Sequence, residues 1–389
     1  MPNRKDSKGR VLKTGESQRK DGSYMYRYAD IRGKRQSVYA PDLQKLRDKE
    51  KAIQKDLNDD IDYAAGNITV LELVKKYVSL KNNLRKSTIE RYNGYIRTIS
   101  TFDFAYKKIK DIRVSDAQKW VSDFYKSGKK STTVRSVLSI IIPAFDLACN
   151  EDIIRKNPFL FSLSDFLPND TTKRNPLTQN QQEGLLNFIK ESVVWRKYYD
   201  IVNILLGTGI RVSELCGLTI DDVDFENRRI FINKQIVYGA DSKLYVERTK
   251  TDSGIRYIPL TPSTYQSLKN LVEQYQKGNI INVVDGYHGF IVLKSNGKVF
   301  MHIDMDRMFQ RLKKAYNKAN PTNKINVLTP HVLRHTFCTN MANAGMDIKS
   351  LQYLMGHSTA SITLNVYAHT SYDHALSQMN NLINKQDVC

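Results

Sequence analysis

Hydrophobic and polar positions follow two periods along this chain. From Ser23 to Ile31 the tyrosines Tyr24, Tyr26 and Tyr28 alternate with Met25, Arg27 and Ala29, the two-residue repeat of a half-buried strand. The Lys20-Asp21-Gly22 turn separates this strand from an earlier short one around Val11 to Thr14, and Gln36 to Ala40 reads as a third strand beyond Arg32-Gly33-Lys34. Pro41-Asp42 opens a helix with Leu43, Leu46, Ile53 and Leu57 as its apolar positions. Residues 1–10, polar and basic, are expected to form a disordered arm.

The period then becomes helical. Residues 60–68 read as a linker, and Thr69 caps a helix carrying Leu71, Leu73, Val74, Tyr77 and Val78. Ser87-Thr88-Ile89-Glu90 has capping-box spacing and starts a second helix reaching Ile99. Ser115 caps a third helix to about Tyr125, and Ser131 or Thr132 begins a fourth with Val134, Val137, Leu138, Ile141, Ile142, Phe145 and Leu147. Pro158, Pro168 and Pro176 mark another linker. Thr178 caps the next helix, an apolar helix runs from about 196 to 206, and a short one follows Arg211 to Leu218. Segments 229–237, 244–248 and 255–260 read as strands, with a turn at Asp252-Ser253-Gly254, and the chain returns to helix beyond 262. The fold class is therefore α+β multidomain. It comprises a small three-stranded sheet plus helix (1–66), a four-helix domain (67–168), a mostly helical domain with a small antiparallel β-sheet (175–370) and a tail helix (371–389).

Charge narrows the function. The 389 residues carry a formal net charge of +20, which favours a polyanionic partner: nucleic acid or an anionic membrane face. No uninterrupted run of about 18 apolar residues is present, and residues 1–20 hold seven Lys or Arg without an apolar leader segment. Double-stranded DNA is the expected partner, with no membrane, and the expected location is cytoplasmic. Residues 1–40 alone hold eleven Lys or Arg against four Asp or Glu, a net of +7. Their basic, aromatic sheet could lie in a DNA groove with Arg27 and Lys34 as contacts, although a merely solvated basic surface has the same composition. Lys129, Lys130 and Arg135, at the start of the fourth helix of the 67–168 domain, are candidate phosphate contacts. Four scattered cysteines form no C-x-x-C pair, so neither a zinc module nor a disulfide framework is indicated.

Three strings could carry chemistry: Gly207-Thr208-Gly209-Ile210-Arg211, His331-Val332-Leu333-Arg334-His335, and Gly356-His357 with Tyr367 ten residues on. Gripping a phosphodiester without a metal calls for fixed cationic donors, and the planar guanidinium fork suits this best. Arg211 follows a Gly-Thr-Gly break, and Arg334 lies three residues after His331 on one helical face. Taken singly, each arginine is more often a surface or salt-bridged residue. His331 and His335 at i and i+4 suggest a metal pair, but Val332 replaces the glutamate of a metalloprotease helix and no fourth ligand stands near Cys338. His335 is expected to pack structurally. Tyr367 is one of 22 tyrosines, and a partly buried tyrosine at a helix end is its plain alternative to a nucleophile.

The strings Gly207 to Leu215, His331-x-x-Arg334-His335, Leu354-x-Gly356-His357 and Tyr367-Ala368-His369 resemble the signature of the tyrosine recombinases, the lambda-integrase family, and the layout is most similar to integrases of conjugative transposons. The resemblance implies an arm-type DNA-binding domain, a core-binding domain and a catalytic domain, in that order. It implies that Arg211 and Arg334 clamp the scissile phosphate, that His331 and His357 bond its oxygens, with His331 also able to assist the nucleophile as a base, and that Tyr367 attacks to give a 3′-phosphotyrosyl link. Lys250 would protonate the leaving 5′ oxygen, and Glu214 would orient Arg211. No metal or other cofactor is required. Site-specific integration and excision of a mobile element would proceed through a Holliday junction on a homotetramer, with an accessory DNA-bending or excision factor. In the tail Ala375, Leu376, Met379, Leu382 and Ile383 share a helical face, which in such a family can be exchanged between protomers or can pack within one chain.

A type IB topoisomerase shares the chemistry but would relax supercoils without site preference. A silent DNA-binding regulator would need no phenol at a phosphate.

Overall fold

The computed structural model describes residues 4–30, 33–58, 65–170, 175–239, 243–249, 252–278, 282–367 and Met379. The chain divides into two compact units, Met1–Thr172 and Lys173–Cys389. Its architecture is α+β, as the sequence periods imply.

The first unit opens with an antiparallel sheet in the order β1 (Glu16–Gln18), β2 (Tyr24–Ala29), β3 (Arg35–Ala40), followed by helix α1 (Leu43–Asn58). Tyr24, Tyr26 and Tyr28 are buried against Leu43, Leu46 and Ile53, so the alternation in β2 does select the core face. Two expectations fail here. The first strand lies at Glu16–Gln18, because Val11 forms only an isolated bridge with Lys5. Residues 4–10 are not a disordered arm: the Asp6 carboxylate accepts from Arg10 Nε at 2.8 Å and from the Tyr24 hydroxyl at 2.9 Å, which pins the segment to the sheet.

Among the described residues four α-helices follow in this unit: α2 (Val70–Ser79), α3 (Lys86–Ile99), α4 (Val114–Lys126) and α5 (Ser131–Asn150). Thr69 caps α2 in a capping box with Glu72. Ser87 and Ser115, however, lie inside their helices. The caps are Arg85 and Arg113, and Asp116 accepts the Arg113 backbone N–H at 3.0 Å. The core gathers Leu73, Val74, Trp120, Phe124, Leu138, Ile141 and Phe145, with Phe104 stacked on Trp120 at 5.2 Å. By length and composition α5 is long and apolar enough to cross a bilayer, although polar residues interrupt its apolar positions. Its apolar side chains form the middle of this bundle core.

In the second unit α6 (Gln179–Glu191) starts at Thr178 with a capping box to Gln181. Helix α7 (Tyr199–Thr208) is buried nearly all round and packs on α9 (Pro262–Lys277). Between them come α8 (Val212–Cys216), a sheet ordered β4 (Val223–Asp224), β5 (Arg229–Ile232), β8 (Arg256–Pro259), and a separate hairpin of β6 (Lys234–Tyr238) and β7 (Leu244–Arg248). The single strand expected over 229–237 is thus two, in different sheets. Residues 282–301 hold isolated bridges, such as Leu293 with Val299, where helix was expected. Helices α10 (His302–Ala319), α11 (Pro330–Asn343), α12 (Ile348–Met355) and α13 (Ala360–Tyr367) follow. Ile204, Leu205, Leu268, Phe309, Leu312, Val332 and Leu333 form the central core.

Candidate phosphate-binding site

Two glycines in the left-handed region stop helices where charged side chains are needed. Gly209, at φ 63°, caps the C-terminus of α7, so Arg211 becomes the N-cap of α8. Gly356, at φ 59°, caps α12 and turns the chain into His357. A methyl group on Gly356 would sit 3.0 Å from Arg256 Nη1, so glycine there permits close approach as well as the turn.

The last turn of α12 organises the site. A helix leaves its final carbonyls without backbone partners and carries partial negative charge at that end. Here the last two, and that of the cap residue Gly356, are each taken by a different arginine. Arg256 Nε donates to Leu354 O at 2.7 Å, Arg334 Nη2 donates to Met355 O, and Arg211 Nη2 donates to Gly356 O at 2.8 Å. Arg334 Nη1 also donates to Gly209 O at 2.6 Å, bridging the C-termini of α7 and α12. Thr329 caps α11 with Pro330 at its first position, which places Arg334 in the helix body, buried, and His331 in the first turn, exposed.

Glu214 balances these cations in part. Its carboxylate, only 2% exposed, accepts from Arg211 Nη1 at 2.7 Å and from Arg256 Nη2 at 2.9 Å. Burial works to raise the Glu214 pKa, but the charge and hydrogen bonds of Arg256, then those of Arg211, outweigh it and hold the carboxyl below its usual range. Three guanidinium groups against one carboxylate leave an excess of two positive charges. Burial, with Arg211 next to it, pushes the Arg334 guanidinium down to about 9, still charged at neutral pH. The same site pushes His357 down to about 4, through burial and then Arg334, Arg211, Arg256 and His331, so its imidazole is neutral at pH 7. His357 Nδ1 lies 2.9 Å from the hydroxyl of Thr363 in α13.

The expected site residues are thus distributed as follows. Arg211, Arg334, Glu214 and His357 are drawn together, and His331 adds to the field at His357. Tyr367 is the last residue of α13, which packs on α11 and α12, and its side chain lies outside the described residues. Lys250 lies outside them too. On its C-terminal side, Gly254 O accepts from Arg256 Nη1 at 2.9 Å. His335 is half-buried in α11. Among the described residues no group of three His, Cys, Asp or Glu could hold a metal. Arg27, Lys34, Lys129, Lys130 and Arg135 belong to the first unit, where all are exposed. The tail positions 371–389 lie outside the described residues except Met379, which is exposed.

Sequence reading missed Arg256 and Thr363. The strand period held a signal for the first: Arg256 shares parity with Ile258, so its charge falls on the buried face and requires a partner. Nothing in the local sequence marked Thr363.

Comparison with known proteins followed the same division. Residues 175–374 match the phage integrase family, and residues 1–57 match the DNA binding domain of Tn916 integrase. The chain is 39% identical to the transposase from transposon Tn1545 of Streptococcus pneumoniae, over 97% of this chain and 96% of that protein. It is equally identical, with the same coverage, to the transposase from transposon Tn916 of Enterococcus faecalis. Among solved structures, the Tn1549 transposon integrase in complex with a circular intermediate DNA aligns with TM-score 0.76 at 40% identity, covering 81% of this chain and 99% of that one. A lambda integrase tetramer bound to a Holliday junction shares the fold, with TM-score 0.55 at 17% identity over 92% of this chain and 95% of that one.

Proposed function

Starting from the chain's membership of the phage integrase family, the tyrosine recombinases, as an integrase of the conjugative-transposon kind and an enzyme that breaks and rejoins DNA, we propose how its residues divide the work. Arg211 and Arg334 grip the non-bridging oxygens of the scissile phosphate. His331 and His357 donate further hydrogen bonds. The Tyr367 oxygen attacks phosphorus as its phenol proton passes to His331, the bond to the 5′ oxygen breaks, and Lys250 gives that oxygen its proton. The products are a 3′-phosphotyrosyl enzyme and a free 5′-hydroxyl, and the reverse attack by a hydroxyl from the partner duplex reseals the strand. Positioning and electrostatics carry the rate.

One observation supports this most: three arginines meet at a single helix end with one carboxylate between two of them, leaving excess positive charge beside a neutral histidine. Burying cations without enough anions is costly, and a phosphodiester supplies one of the two missing negative charges.

The wider assembly is part of the same reading. Residues 1–66 bind arm sites, 67–168 bind the core site with Lys129, Lys130 and Arg135, and 175–370 carry the chemistry. Four protomers hold the element ends and target through a Holliday junction, with the 371–389 tail exchanged between them and an accessory DNA-bending or excision factor directing the outcome. The reaction takes place in the cytoplasm. The deciding experiment is a denaturing gel of the protein with a nicked duplex from an end of its parent element, beside Tyr367→Phe. A protein–DNA band that survives denaturation and vanishes in the variant is the expected result. Intact DNA binding with no such band would favour a regulatory DNA binder, and supercoil relaxation without site preference would favour a topoisomerase.

A further inference from the structure

We propose that Arg256 is a positioning residue for DNA cleavage, holding the Glu214 carboxylate that in turn sets the guanidinium of Arg211. The proposal rests on the reading of Arg211 as a phosphate clamp.

The Arg256 side chain is 0% exposed, so it acts on DNA only through others. It lies opposite Ile232 across the β5–β8 pair, on the buried face with Ile230 and Ile258. Each Glu214 oxygen takes one bond from each of two arginines. Oε1 accepts from Arg211 Nη1 at 2.7 Å and Arg256 Nη1 at 3.3 Å, while Oε2 accepts from the Arg211 backbone N–H at 3.0 Å and Arg256 Nη2 at 2.9 Å. The acceptor capacity of the carboxylate is then filled.

Arg211 differs from Arg256 in one respect: 37% of its side chain is exposed, so it can reach a ligand. Glu214 is thus a wedge between a fully buried cation and a reaching one. Arg256 is itself fixed from two further directions, by Leu354 O and Gly254 O. Its planar fork serves all three acceptors, which the single ammonium of a lysine cannot span. Without Arg256, the buried Glu214 would draw Arg211 inward or take up a proton. Either change alters where Arg211 meets the phosphate.

The test uses full-length protein and measures covalent attachment to the nicked duplex across pH, with DNA affinity and melting temperature alongside. Arg256→Gln should slow attachment about hundredfold at neutral pH, the scale of a small misplacement at a reacting centre. DNA affinity should stay within about twofold, since many other basic residues hold the backbone. The acid-side fall in rate should move to higher pH as Glu214 protonates, and Arg256→Lys should return that fall to its wild-type position while recovering only part of the rate. A rate for Arg256→Gln within about threefold of wild type, or a slower enzyme with an unmoved acid limb, overturns the proposal. If Arg256→Gln melts below the assay temperature, the paired Glu214→Gln/Arg256→Gln takes its place, because it removes the buried carboxylate together with its fully buried cation. It should attach no more slowly than Glu214→Gln alone, and a further loss beyond about threefold overturns the proposal. Failure of the underlying reading is distinct: wild-type protein would then form no covalent product.

Discussion

His357 and Thr363 are joined side chain to side chain, Nδ1 to Oγ1 at 2.9 Å, and Thr363 is fully buried one helical turn before Tyr367. A neutral imidazole has one N–H, and whatever its Nδ1 bonds decides which nitrogen carries it. For Nε2 to donate to a phosphate oxygen, Nδ1 must accept from the Thr363 hydroxyl. Thr363→Val keeps the shape and removes the hydroxyl. It should slow covalent attachment about tenfold, one hydrogen bond's worth, whereas Thr363→Ser should stay near wild type. Equal rates for valine and wild type would reject this tautomer assignment.

The pH dependence of stability follows from His357. Its folded pKa of about 4 lies below the ordinary 6.5. Between these values the unfolded chain binds a proton that the native protein does not. Stability should therefore be fully present above pH 6.5 and decline as pH falls towards 4. Glu214, also held low, adds its loss only below its ordinary 4.5. The difference in melting temperature between wild type and His357→Gln should narrow or reverse in favour of the variant across pH 6.5 to 4, by a few degrees. A pH-independent difference would show that His357 is not held neutral.

Gly356→Ala tests the turn that sets the site. The substitution meets both an unfavourable φ of 59° and a contact 3.0 Å from Arg256 Nη1. It should cost about 2 kcal/mol of stability in denaturant unfolding. A loss below about 0.5 kcal/mol would mean that the turn relaxes freely.

Lys250 is examined best by chemistry. If it protonates the leaving 5′ oxygen, Lys250→Ala should slow attachment about 10²- to 10⁴-fold on ordinary DNA. A duplex with sulfur in place of that 5′ oxygen needs no proton donor, so the variant should approach the wild-type rate on it. An equal defect on both substrates assigns Lys250 to binding instead.

Arg27 stands exposed on β2, opposite Ser37 of β3, on the face away from the buried tyrosines. On the same face Tyr39 is exposed, with the Arg19 guanidinium 5.3 Å from its ring centroid. Arg27→Ala should weaken arm-site binding and reduce the slope of log affinity against log salt by about 1, leaving core-site attachment unchanged. An unchanged salt slope would remove Arg27 from the interface.

Much of this protein was legible from local chemistry. Two-residue alternation placed Tyr24, Tyr26 and Tyr28 inside, and Thr69 and Thr178 marked helix starts through their own hydroxyls. Where an acid in the first helical turn or a backbone carbonyl did the capping, as at Arg113 and Arg85, the serine pattern misled. The basic charge pointed to DNA, and the Arg, His and Tyr strings pointed to phosphodiester chemistry.

Sequence therefore determined which residue types were present and which short segments would turn or coil, because those depend on neighbours within a few positions. Tertiary structure alone decided the rest. It set Arg211, Arg256 and Arg334, far apart in the chain, on three successive carbonyls at the end of α12 and its cap, and it put one buried carboxylate between two of them. A helix end is negative and a buried guanidinium must find acceptors, but which helix end meets which arginine is settled only when the core closes.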